Sequence, residues 1–265
     1  MKKNFIAALL LIAGIATAIS ISSSSIDNPI YQKNGIKVTA LEGSPDYPDA
    51  ELHLVSPKAG VLPVGSDTFL FDVKNYQLGA QTPDANQKMC ANSAKGQHIH
   101  FILDDAPYVA SYSPKIGADV KPGHHVLLAF LSRSYHESLK HKKSYILEEF
   151  DAGNSGGGIS GFDKKAPQLF YSRPKGEYVG DQETKRIMLD FYLVNCTLSK
   201  TGYKVRATVN GNEFMITEWK PYIIEGLPLG ESKVKLELLD ASNNPVKSPF
   251  NGVERTFTLK NEVGK

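Results

Sequence analysis

Gly96-Gln97-His98-Ile99-His100-Phe101-Ile102-Leu103-Asp104-Asp105-Ala106-Pro107-Tyr108 reads as a β-strand followed by an acidic turn. Ile99, Phe101 and Leu103 alternate with His98, His100 and Ile102. A period of two places one set on a buried face and the other on the opposite face. The two imidazoles therefore project side by side, and the reading puts them on an outward-facing surface. Sliding the chain by 106 residues brings Gly202-Tyr203-Lys204-Val205-Arg206-Ala207-Thr208-Val209-Asn210-Gly211 onto this stretch, with Lys204 in place of His98 and Arg206 in place of His100.

The repetition extends both ways. Downstream, the Pro122-Gly123 entry and the apolar run 126–131 match Pro228-Leu229-Gly230 and the run 233–239. Upstream, Glu51-Leu52-His53-Leu54-Val55-Ser56-Pro57-Lys58 matches Gln168-Leu169-Phe170-Tyr171-Ser172-Arg173-Pro174-Lys175. Strand candidates fall at residues 51–55, 68–76, 98–103, 108–112, 126–131 and 144–150. In the second copy they fall at 168–172, 186–195, 203–209, 213–218, 233–239 and 255–259, with Pro, Gly, Asn and Asp between them. No segment keeps a helical period. The expectation is an all-β protein of two tandem antiparallel β-sandwiches of immunoglobulin or fibronectin type, at residues 50–150 and 165–260.

The flanking segments follow from composition. Lys2 and Lys3, an apolar run over residues 5–18 and the small-residue finish Ala16-Thr17-Ala18 have the form of a secretory signal peptide, residues 1–18. That run is too short to span a membrane. Residues 19–49 form a spacer with one short strand near residues 35–41, and the glycine-rich residues 151–164 form a linker. Such a chain is exported, to the periplasm or the extracellular space, and is not membrane-spanning once the leader is removed. A net charge of only +2 over 265 residues argues against nucleic acid as a partner.

The chain has two cysteines, Cys90 and Cys196, and their separation equals the repeat offset of 106. They occupy equivalent places, one per copy, which excludes a bond within either copy. An inter-domain disulfide and two free thiols both remain open. Phe71-Asp72-Val73 matches Leu189-Asp190-Phe191 at an offset of 118, so the first copy carries twelve extra residues between Tyr76 and Met89. That insertion leads directly into the His-x-His strand, where binding loops concentrate.

Only the first copy puts histidine on this strand. In a seven-stranded sandwich the third and sixth strands are antiparallel neighbours, which brings His136 to the pole of His98 and His100. Those three are the candidate ligands for copper or zinc, with Met89 and Cys90 as additional soft donors. His125 is read as a packing residue instead. In the second copy Lys204, Arg206, Lys233 and Lys235 form a cationic strip suited to an anionic peptide or glycan. Gly153-Asn154-Ser155-Gly156-Gly157 mimics a hydrolase nucleophile segment, but it lies in linker without the strand-to-helix or double-barrel setting such a serine needs. No enzymatic constellation is found.

The run from Gly96 to Tyr108, together with Lys121-Pro122-Gly123-His124-His125-Val126-Leu127, resembles a family of exported bacterial β-sandwich domains of unknown function. Its signature is a Gly-x-His-x-His strand, an acidic turn and a Pro-x-Gly-x-His strand. The resemblance covers roughly residues 50–150 and implies a non-enzymatic domain of the cell envelope, in a group where some relatives carry a phosphopeptide-binding label. The chain departs from the pattern at Gln97, where the family often has a further histidine.

Overall fold

A computed structural model describes residues 30–58, 61–153, 159 and 161–262. The leader and residues 154–158 and 160 of the glycine-rich linker lie outside these described residues. The chain forms β1 (Ile30–Lys33), β2 (Ile36–Ala40), β3 (Glu51–Ser56), β4 (Val61–Leu62), β5 (Gly65–Lys74), β6 (His98–Leu103), β7 (Val109–Ser111), β8 (Lys115–Val120), β9 (Gly123–Ser132) and β10 (Tyr145–Ala152). It continues through β11 (Gln168–Arg173), β12 (Gly176–Val179), β13 (Ile187–Val194), β14 (Lys204–Val209), β15 (Asn212–Ile216), β16 (Tyr222–Glu225), β17 (Gly230–Leu239) and β18 (Val253–Lys260). Two four-residue helices, α1 (Ala85–Lys88) and α2 (Asp181–Thr184), complete the described elements.

The sheets repeat as the sequence does. The first sandwich packs β3-β5-β8 against β4-β10-β9-β6-β7, and the second has β12-β18-β17-β14-β15 in the same order opposite β11-β13-β16. Each sheet contributes alternate residues to a private core. Ile99, Phe101, Leu127, Ala129 and Leu131 meet Phe69 and Phe71 in the first. Leu189, Phe191, Val205, Ala207 and Leu236 do the same in the second. The fold is therefore all-β, with two β-sandwiches of immunoglobulin and fibronectin type in tandem. Cys90 and Cys196 are both free thiols.

The spacer strand does not serve the domain next to it in sequence. The hairpin of β1 and β2 passes the first sandwich and pairs with β16, Val38 opposite Ile224 and Ala40 opposite Tyr222, which extends one sheet of the second sandwich to five strands. Ile36, Val38 and Ala40 drop into that core. Lys37 and Thr39 alternate with them on the other face, which is half-buried.

The outer faces of the two sandwiches are not free surfaces. Ile102, Val126, Leu128, Phe130 and Leu147 of the first pack directly on Phe170, Tyr192 and Val194 of the second. Phe130 stacks on Tyr192 with ring centroids 4.5 Å apart. The insertion adds to this seam, because Ala85 and Cys90 pack with Tyr135 on Met188 and Ile223. Here the structure corrects the sequence reading, in which the face bearing His98 and His100 was open to solvent. Every residue of β9 from His125 to Ser132 and all of β13 are buried, since both faces of these strands are covered.

Removal of two methyl groups at Val38, fully buried between β16 and the core, costs about 2 kcal/mol. Val38→Ala is expected to lower the urea midpoint with an unchanged slope, whereas Gln32→Ala on the exposed edge strand leaves it in place. Equal midpoints for Val38→Ala and the wild type would mean that the hairpin does not dock.

Candidate metal centre

His98 and His100 point from β6 into the seam, and His136 reaches them from the turn that joins β9 to the next bridge. One nitrogen from each ring converges. His98 Nε2 lies 2.9 Å from His100 Nε2 and 3.2 Å from His136 Nδ1, and all three candidate donor atoms fall within 4.8 Å of one another. Zinc takes imidazole nitrogen at about 2.0–2.1 Å, so tetrahedral ligands stand about 3.3 Å apart. Two of the three separations are near that spacing already. This is the only such group of histidine, cysteine or carboxylate donors found among the described residues.

The turn holding His136 has its own restraints. Arg133 N–H donates to the Glu137 carbonyl at 2.8 Å and His136 N–H to the Arg133 carbonyl at 2.9 Å, which leaves His136 at φ 71°. Glycine or asparagine ordinarily takes such a left-handed position, because a larger side chain is sterically disfavoured there. The turn is clamped from outside. The Arg133 guanidinium pairs with Glu137 at 2.9 Å and also donates to the Pro45 carbonyl, so the segment between β2 and β3 braces the loop that presents the third imidazole.

Hydrogen bonds to the far side of the rings set their tautomers. His98 Nδ1 lies 2.8 Å from the Gly96 carbonyl, an acceptor only, so Nδ1 carries the proton and Nε2 offers a lone pair. His100 Nδ1 is 3.2 Å from Ser172 Oγ, a hydroxyl that can either donate or accept. With a proton on His100 Nε2 the pair is satisfied without an ion. With that proton moved to Nδ1, toward Ser172, both Nε2 lone pairs face the same point. Carbonyl and hydroxyl partners behind ligating imidazoles are the usual means of fixing such rings.

Burial keeps the rings neutral. His98 is held down to about pH 4 by desolvation, helped by the positive charges of Arg173 and Lys175 and opposed by the Gly96 hydrogen bond. His100 and His136 are pushed well below the ordinary histidine value, again mainly by burial. Neutral imidazole is the form that binds a metal.

Both sandwiches supply residues that the sequence reading did not find, Tyr108 from the first and Arg173 and Lys175 from the second. Tyr108 stacks on His100 at 3.5 Å between centroids and 8° between planes, and its hydroxyl is 3.3 Å from His136 Nδ1. Lys175 Nζ lies 3.8 Å from the Tyr108 ring centre and donates to the Tyr108 carbonyl at 2.6 Å. Arg173 donates to the Tyr178 hydroxyl at 2.9 Å. One signal was available: in the repeat alignment Arg173 stands where the first copy has Ser56, a gain of charge at the end of an otherwise matched strand.

The other sequence candidates lie elsewhere. Cys90 is buried against Ala85, Tyr135, Met188 and Ile223, its thiol pushed up to about 11 by burial, and it does not join the histidines. Met89 is 53% exposed, on the solvent side of the insertion. The strip on the second sandwich is occupied by its own counter-charge. Arg206 faces Glu237 across the ladder and bonds it at 2.9 Å, Lys235 reaches the same carboxylate at 2.9 Å, and Lys233 is 3.9 Å from Glu231. Lys204 is buried and donates to the Gly202 carbonyl. His125 is a packing residue, 2.5 Å from Asp104 and bonded to the Lys121 carbonyl.

No family model and no curated protein matches the chain. Solved structures similar to it include the fibronectin(III)-like modules of Clostridium thermocellum CbhA, at 12% identity over 81% of this chain and 97% of that one, with a TM-score of 0.29. The central fibronectin-III array of RIM-binding protein aligns at 10% identity over 84% of this chain and 72% of that one, TM-score 0.28. The Bacteroides ovatus mixed-linkage glucan utilization protein SGBP-B, solved with a heptasaccharide, aligns at 10% identity over 78% of this chain and 47% of that one, TM-score 0.24.

The depressed histidine values fix the sign of a pH effect. Unfolded histidines take up protons near pH 6.5 while the buried ones do not, so metal-free protein has its full stability above pH 6.5 and loses it as pH falls toward 4. His98 alone accounts for a loss on the order of 3 kcal/mol over that window. Urea titrations of metal-free protein at pH 7.5 and pH 4.5 test this, with His98→Phe as the comparison. A wild-type stability flat across the window would show that these rings are solvated.

Proposed function

We propose that this is an exported, non-enzymatic binding protein whose first sandwich holds a transition-metal ion, copper or zinc, through His98, His100 and His136. The observation that supports it most is the convergence of one ring nitrogen from each of three neutral, buried imidazoles. One N–H···N bond satisfies His98 and His100, but His136 Nδ1 is aimed at the same His98 Nε2 as a third ring nitrogen. The strained backbone at His136 adds weight, since that turn would be more stable with asparagine or glycine. Imidazole donors suit copper and zinc above the harder cations. Export to the periplasm or beyond follows from the leader reading and belongs to the same proposal.

Protein purified without a histidine tag, stripped and reloaded, is expected to retain one equivalent of copper or zinc through gel filtration. The His98→Ala/His100→Ala variant is expected to lose it. His136→Asn separates site from scaffold, because asparagine is at home in the left-handed turn: that variant is expected to fold normally and bind the ion at least tenfold more weakly, on the order of 1.4 kcal/mol or more. Trace metal at equal level in all three proteins would reject the reading.

A further inference from the structure

The polar centre at the seam has a charge balance that its neutral histidines do not account for. Its second-sandwich wall brings Arg173 and Lys175, and neither forms an ion pair with a carboxylate among the described residues. Arg173 is 8% exposed. Its guanidinium bonds the Tyr178 hydroxyl and also interacts with Tyr108, while Nε sits without accessible surface and without an acceptor. The Lys175 ammonium donates to the Tyr108 carbonyl and lies on the ring that stacks against His100. Elsewhere on the seam the chain does match its cations: Lys140 meets the fully buried Asp190 at 2.5 Å, and Arg133 meets Glu137.

The buried charge of Arg173 without a counter-charge costs several kcal/mol, and the half-buried Lys175 of like sign on the same wall adds to that. A metal cation beside them would add a third positive centre. A bound anion relieves all of these at once. The unpartnered Nε–H of the guanidinium and an ammonium nearby suit a carboxylate or a tetrahedral oxyanion, through charge-assisted hydrogen bonds.

We propose that the centre takes an anion, a carboxylate or a phosphate-like oxyanion, against Arg173 and Lys175 beside the three imidazoles. Anion binding as such does not require the metal. Its second role rests on the metal reading: three histidines leave a fourth position on the ion, and an anion held there completes it. Metal and anion then tighten each other by the same factor.

Two titrations test this and keep the two readings apart. Metal-free protein is titrated with inorganic phosphate at constant ionic strength, with chloride as the control, and the thermal midpoint is read. A saturable rise is expected in the wild type, lost in Arg173→Leu and shifted to about tenfold higher phosphate in Lys175→Gln. Lys175 is only half-buried, so its variant keeps the test valid if Arg173→Leu fails to fold. Copper-loaded protein is then titrated with azide, with an azide-to-copper charge-transfer band expected in the wild type and absent in Arg173→Leu. Without added anion, Arg173→Leu is expected to hold copper at least as tightly as the wild type, since a like charge is gone. No phosphate effect in the wild type, or an equal effect in both variants, overturns the proposal. Phosphate binding without metal binding upholds it and removes the metal centre instead.

Discussion

The packing of one sandwich on the outer sheet face of the other governs the rest of this structure. Without it, Val126, Leu128 and Phe130 would lie in water, and His98 and His100 on their strand, with His136 on its turn, would be wet and of ordinary basicity. With it, the rings lose their solvent, their protons leave at lower pH, and Ser172, Arg173 and Lys175 arrive from a different domain. Desolvation here serves two ends, cohesion from the apolar residues and neutrality from the polar ones. The same strands carry both, because alternate residues of β9 and β13 feed the private cores and the remainder feed the seam.

The seam is reinforced by parts of the chain that are remote from it in sequence. The β1–β2 hairpin docks on the second sandwich, and the segment after it returns past the first, where Pro45 accepts from Arg133. Thus the N-terminal segment ties both domains and braces the turn of His136. The twelve-residue insertion of the first copy does comparable work, carrying Ala85, with Cys90 just beyond it, onto Met188 and Ile223. A buried Lys140 to Asp190 pair crosses the same boundary. Relative motion of the two sandwiches would break all of these contacts together.

Much of the fold was legible in the sequence because a period of two and a self-repeat at 106 residues are strong local signals. The strand of His98 to Leu103 has the bounds its alternation gives, and its pairing with β9 brings the start of one strand beside the end of the other, as the sandwich topology requires. What escaped was long-range. Short edge strands such as β4 and β12 have too few residues to show a pattern, and β8, where Ile116, Ala118 and Val120 alternate with Lys115, Gly117 and Asp119, was passed over. The burial of the histidine face was missed although a sign existed: Val126-Leu127-Leu128-Ala129-Phe130-Leu131 has no polar alternation, and such a run belongs to a strand covered on both sides. Arg173 and Lys175 could not be placed near His100, because nothing local states which faces of two domains will meet.

The site rests on a physical claim about three rings, and X-ray absorption at the copper or zinc edge of the loaded protein tests it most directly. The structure predicts three imidazole nitrogens in the first coordination sphere at about 2.0–2.1 Å, with the outer-shell scattering pattern of histidine rings. A first sphere of oxygen alone, or of sulfur from Cys90, would contradict the account.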